Sequence, residues 1–207
     1  MQFIFDHIYA TIIAGTVMFM LALLNLTVLE VNWTQSSVNA GKTLTLDLAN
    51  WLEQDLKPIS NRADNGQPPI VVWPTQSAQG NTTLITLYRD SLDVSSTPFD
   101  TVRIQMRYTL QTSDSVAIAD SSVQAFQLIR QTRTQIGAAG AWSGWAEDGR
   151  SRPRLMNFSV TPLRPDGANA ISVAETAYLR VRFVLVPPFI QENSFLNLMN
   201  WQTTVVV

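Results

Sequence analysis

A single histidine, His7, stands among 207 residues that contain no cysteine. One imidazole cannot furnish both a catalytic relay and a multi-histidine metal centre, and His7 lies at the lip of an apolar segment, away from any acidic cluster. The lack of cysteine removes disulfides, thiolate ligands and thiol nucleophiles together. Carboxylates are the remaining reactive groups: Asp90, Asp93, Asp100, Asp114, Asp120, Glu147, Asp148, Asp166 and Glu175. Paired acids serve glycoside hydrolysis, and clustered ones hold calcium, but no DxDxDG-like loop is present, so these acids read as turn and solvating residues. The stretch AEDGRSRPR reads as a charged turn. Trp142 and Trp145, in AWSGWAEDG, are the most suggestive pair. Displayed on a Gly-rich loop, they would stack on a sugar or insert into a partner; alternatively they cover one edge of the core, the commoner fate of large aromatics. No catalytic, cofactor-binding or metal-ligating set emerges, and the chain reads as a structural protein, not an enzyme. A net charge of -2 without any block of like charges gives no attraction for nucleic acid.

What must position these residues begins with a different material. From Ile8 to Leu29 the chain reads IYATIIAGTVMFMLALLNLTVL, uncharged and interrupted only by Thr11, Thr16, Asn25 and Thr27. As a helix it would be roughly 33 Å long, matching a hydrocarbon core of about 30 Å. A cleaved secretory signal is the competing reading, but such signals carry a basic leading region and an apolar core of roughly 7 to 15 residues. The leading MQFIFDH has no Lys or Arg, and none occurs before Lys42. Positive-inside bias therefore sets no orientation, and the simplest topology is an exported head after the helix. Asp6 has two readings: an acid in the first turn complements the helix dipole, worth about 0.3 to 1 kcal/mol, or it pairs with the N-terminal amine of a neighbouring subunit. Ala10, Ala14, Gly15 and Ala22 allow close helix approach. The assembly residues of this reading are Asp6, Ile8, Ile12, Gly15, Phe19 and Leu23, with Trp142 and Trp145 as surface contacts.

Beyond Glu30, Leu44, Leu48, Trp51, Leu52 and Leu56 recur at steps of three and four, with Asp47, Asn50, Glu53, Gln54 and Lys57 largely off that stripe. Such spacing predicts an amphipathic helix lying on a sheet and stopped at Pro58. Gly41 and its Ser, Thr and Asn neighbours lower helix propensity, so a bend or unwound stretch is expected there. The period then changes. NRADNGQPP reads as loop, followed by β-favouring runs at 70–73, 83–89, 101–111, 125–133, 154–164 and 177–186. In the third, Val102, Ile104, Met106, Tyr108 and Leu110 alternate with Arg103, Gln105, Arg107 and Thr109, which predicts an antiparallel sheet with one buried face. The segment 137–153 reads as loop, Pro187 and Pro188 close the last long strand, and TTVVV is either a closing strand or an edge offered to another subunit. The expected class is α+β: a helical part over 1–57 and a β-rich head over 58–207.

This order of parts resembles pilin-like proteins, above all minor pilins and pseudopilins of type IV pilus and type II secretion systems. The resemblance rests on the bare apolar helix, LANWLEQDLKP, the strands VRIQMRYTL and FQLIRQT, and RLMNFSVTPLRPDG followed by AYLRVRFVLV. It implies a helix whose first half is membrane anchor and filament core and whose second half packs on an antiparallel sheet. Homo-oligomers or related pilin-like subunits would be the partners, with membrane lipid before assembly. The location would be the inner membrane with an exported head, then an extracellular filament. The processing motif of that family is missing, since no glycine precedes Gly15; Asp6 stands near the usual glutamate place, so either Met1 is the mature end or processing does not occur. A single-pass accessory protein, its head docked on a larger membrane complex, is the alternative.

Overall fold

The computed structural model describes residues 2–60, 68–93, 100–118, 121–137, 140–152, 154–186 and 199–206. Helix α1 spans Gln2–Leu56, and a 3-10 turn, Lys57–Ser60, carries Pro58 just past its end. Two compact units result, Met1–Ala40 and Gly41–Val207. The chain stays helical through Gly41, so of the bend or unwound stretch that its neighbours' propensities suggest, the unwinding does not occur. The reason lies in burial: Gly41, Thr45, Leu48, Ala49, Leu52, Asp55 and Leu56 follow one another at helical spacing as a buried stripe. Packing of an apolar face supplies stability that local propensity lacks.

The head is an α+β arrangement. Eight strands form one antiparallel sheet in the order β1-β2-β3-β4-β6-β7-β8, with β5 paired to β4. Their bounds are Ile70–Gln76, Thr82–Asp93, Asp100–Ile118, Ser121–Ile136, Ala146–Arg150, Leu155–Leu163, Tyr178–Leu185 and Met199–Val206, for β1 to β8 in turn. All six anticipated runs are strands. AEDGR, whose composition reads as a charged turn, is instead β5, and of the two readings of the C-terminal residues the closing strand holds, as β8 pairs with β7. The loop at 61–67, Asp120, Pro153, Pro187 and Pro188 lie outside the described residues.

Alternation places Ile85, Leu87, Met106, Tyr108 and Leu128 on the face toward Leu48, Leu52, Leu56 and Ile59, and β6 and β7 add Phe158, Val160, Leu179, Val181 and Phe183. Burying each such aliphatic or aromatic side chain contributes about 1.5 to 3 kcal/mol. This shared core ties the second half of α1 to the sheet.

One joint in the sheet depends on side chains. β4 and β6 pair only at Phe126 and Leu155. Past that point the turn after β1 reaches β6, with Gly80 at φ 78 closing the turn and bringing Asn81 round. The Val160 N–H donates to Thr82 Oγ1 at 2.8 Å and the Phe158 N–H to Asn81 Oδ1 at 3.2 Å. Asn157 Nδ2 donates to the same Asn81 oxygen at 2.7 Å. Asn81 and Thr82 are buried, so water cannot replace them. Thr82→Val keeps the shape and strands the Val160 N–H; a loss of about 1 to 3 kcal/mol is expected in urea unfolding of the head.

Candidate membrane and assembly surface

In the first unit, large apolar side chains are exposed on every side of α1 between Phe3 and Val31. A soluble surface helix confines its apolar residues to one stripe; a helix apolar all round needs lipid or other helices about it. Its most apolar 18-residue window has a mean hydropathy of 2.3, with none of it buried, so the helix is long and apolar enough to cross a membrane or to act as a signal sequence. The threonines fit either setting. Thr11, Thr16 and Thr27 each donate their hydroxyl to the carbonyl four residues earlier, at 2.8 to 3.0 Å. These three hydroxyl protons are thereby satisfied without water.

Ile8, Ile12, Phe19 and Leu23 are 48% to 64% exposed. At about 100° per residue they and Gly15 fall within an arc of about 80°, so the helix brings these five assembly residues onto one side, while Asp6 falls about 140° from the centre of that arc. A Cβ built on Gly15 meets nothing within 4 Å, so nothing inside the chain requires glycine there. For Asp6, the dipole reading is the one corrected. The helix is already under way at Gln2 and its first turn holds no acid, so Asp6 stands beyond the free N–H groups and does not cap them. The neighbouring His7 ring stacks on Phe3, with centroids 6.1 Å apart. Sequence reasoning passed over Tyr9 and Trp33, both exposed. They lie about 36 Å apart along the helix, at the two levels where amphipathic rings favour membrane interfaces. The signal was present as one aromatic at the start of the uncharged run and one just past its end.

In the head, polar chemistry gathers where α1 meets β3 and β4. Tyr108 and Arg130 are cross-strand partners, and both reach Asp55 on the helix. The Tyr108 hydroxyl donates to Asp55 Oδ2, Arg130 Nη2 donates to Asp55 Oδ1 at 2.8 Å, and Arg130 Nη1 reaches Asp148 of β5 at 2.7 Å. Burial pushes the Asp55 carboxyl up, and the Tyr108 hydrogen bond and Arg130 charge pull it back only in part. Burial, then the nearby Asp55 charge, raises the Tyr108 phenol well above its ordinary range. These four groups fasten helix to sheet.

Trp142 and Trp145 sit elsewhere, on the opposite face. Their segment is held to β4 by the Ser143 N–H on the Thr134 carbonyl and by the Thr134 N–H on Ser143 Oγ. Each is half-buried against arginine and not against the apolar core. Other carboxylates are dispersed: Asp90 takes the Tyr88 hydroxyl, Asp114 pairs with Arg154, Glu147 with Arg150 and Glu175 with Arg164, while Asp166 accepts the Ala168 N–H. The Ser113 hydroxyl beside Asp114 holds its carboxyl low. Asp93 and Asp100 have no described side chains. Among the described residues no three His, Asp or Glu side chains converge as metal ligands. No family model matches the chain, and no curated protein or solved structure is similar to it, so its function has to be read from its own residues.

Proposed function

We propose that this chain is a structural subunit anchored in a membrane by the first half of α1, and that these apolar helices pack together into a pilus-like filament that displays the heads. The observation that carries this reading is the run from Ile8 to Leu29: exposed and apolar on all sides, free of charge, its threonine hydroxyls satisfied within the helix, and attached in sequence to a head with its own core. Close packing among such helices favours small residues, and Gly15 offers an unfilled notch on the side that carries Ile12 and Phe19.

The chain has no cysteine, which makes a direct test simple. Single cysteines at Gly15 and Leu23, placed in the full chain and oxidised in intact membranes, are expected to give covalent dimers, whereas cysteines at Met18 and Met20, turned to other sides, are expected to give few. Uniform or absent cross-linking with full membrane retention would leave the chain a monomeric anchor, and loss of the N-terminal segment from the mature protein would remove the proposal altogether.

A further inference from the structure

The outer face of β2 to β5 carries an arrangement unrelated to the apolar helix. Strand pairing aligns Arg107 with Gln131 and Gln105 with Arg133, all pointing away from α1. The segment before β5 then lays two indoles over the two guanidinium groups. Arg107 lies 4.2 Å from the Trp145 ring centroid, Arg133 lies 4.6 Å from the same ring, and Arg133 lies 5.0 Å from Trp142. The order is thus Arg107, Trp145, Arg133, Trp142. Stacking on an indole suits a guanidinium, whose flat charge is weakly hydrated. Glutamine oxygens fix the planes: Gln131 Oε1 accepts from Arg107 Nε at 2.9 Å and Nη2 at 2.7 Å, and Gln105 Oε1 accepts from Arg133 Nε at 2.8 Å. Among the described residues neither guanidinium is paired with a carboxylate, unlike Arg130, Arg150, Arg154 and Arg164. Two positive charges are therefore held in place by stacking and by glutamine oxygens, without a direct carboxylate partner among the described residues.

Beside this ladder the same face opens into a cleft of about 350 Å³, of which Arg107 forms one wall. Thr109, Gln111, Gln131 and Glu147 line it together with the apolar side chains of Leu84 and Ile129. The volume is at the small end of the range for small-molecule pockets. β3 pairs with β4 and β4 with β5 here, so the floor of the cleft has its backbone groups taken and offers side chains to a ligand. What the lining does offer is a ring of side-chain donors and acceptors around an apolar patch, with the Arg107 cation fixed at one side and the Glu147 carboxylate, paired with Arg150, at another. A polyhydroxylated ring that both donates and accepts, and bears a carboxylate, matches that set; bidentate or stacked guanidinium is the natural partner of such a carboxylate.

We infer that this cleft binds a carboxylated saccharide, with Arg107 taking the carboxylate, Thr109, Gln111 and Glu147 taking hydroxyls, and the indole ladder holding Arg107 in place. Arg107 is the specificity-determining residue; Arg133 and Trp145 position it. The site belongs to the head alone and stands whether or not the helices assemble.

Tetragalacturonate and sialyllactose, titrated separately into the full chain in detergent micelles and followed by calorimetry and indole fluorescence, test this. At least one is expected to saturate with a Kd of about 1 mM or tighter, and its neutral counterpart, the methyl ester or lactose, to bind about tenfold more weakly or less. Arg107→Gln is expected to weaken the acidic probe about tenfold while the head melts as before. Gln111→Ala, which leaves every charge in place, is expected to weaken it too. Saturation by neither acidic probe, equal binding of acetate, or an Arg107→Gln chain that binds unchanged would each overturn the assignment.

Discussion

Replacing Asp55 with alanine is expected to destabilise the head by about 3 to 5 kcal/mol, the range for breaking a buried ion pair by removal of one partner. The loss has three sources. Tyr108 is fully enclosed and would keep a hydroxyl without an acceptor; Arg130 Nη2 would lose its partner at 2.8 Å; and a gap would open between helix and sheet. Arg130 retains Asp148 on its other nitrogen, which limits the damage to the inner half of the network. Asp55→Asn separates charge from shape. Its oxygen still accepts from Arg130, and its amide now donates to the Tyr108 oxygen, reversing that bond and leaving the phenolic proton without its acceptor, so part of the stability is retained. Urea unfolding of the full chain in micelles measures both variants, and an alanine variant within about 1 kcal/mol of the parent would show the network to be incidental.

The same pair of variants exposes a pH dependence of definite sign. In the fold the Asp55 carboxyl is raised above its ordinary value of 3.8, mainly by burial. The folded state therefore holds this proton more tightly than the unfolded chain does. That contribution to stability is fully present below the ordinary carboxyl range and is lost as pH rises through the raised value. Asp55→Asn cannot ionise, so relative to the parent it is expected to gain stability as pH climbs from about 4 into the neutral range. A parent and variant whose stabilities run parallel across that window would show that the carboxyl does not titrate differently on folding.

Periodicity made much of this architecture readable. The step of three and four from Leu44 to Leu56 located the face of α1 that meets the sheet, and strict alternation in β3 located the face that meets α1. What it could not supply was the partner of a polar residue on that face. Asp55 lies three residues beyond Leu52 and seven beyond Leu48, squarely on the stripe, yet an acid there reads as solvated until Tyr108 and Arg130 are seen opposite. β5 escaped for a related reason. Glu147, Asp148 and Arg150 carry no apolar signal, because the strand is held by backbone pairing with β4 and by ion pairs. Gly149 within it yields to the Trp51 ring, whose nearest atom lies 3.0 Å from where a Cβ would stand, a contact that no local pattern announces. The arginine and tryptophan ladder depends on strand register, which puts Arg107 and Arg133 in neighbouring cross-strand pairs, so its order was invisible while the strands were unpaired.

Phe19→Arg is expected to release the chain from membranes. Phe19 lies at the middle of the run from Ile8 to Leu29, so a charge there has the longest way to either interface. On the insertion scale Arg at the centre of a spanning helix costs about 2.5 to 3.5 kcal/mol, while Phe contributes favourably by a few tenths. The sum corresponds to a shift of more than about 100-fold in partitioning, which carbonate extraction of membranes reads directly. Gly15→Leu works in the opposite sense. It adds apolar surface, raises helix propensity by about 1 kcal/mol and meets no atom of its own chain within 4 Å, so the anchor should be retained in full. It does fill the notch through which a neighbouring helix would approach. In a Leu23→Cys background, Gly15→Leu is therefore expected to stay in the membrane while its oxidised dimers fall several-fold. Equal dimer yield with and without that leucine would mean that the helices do not meet at Gly15, and full membrane retention of Phe19→Arg would mean that this segment is not what spans the bilayer.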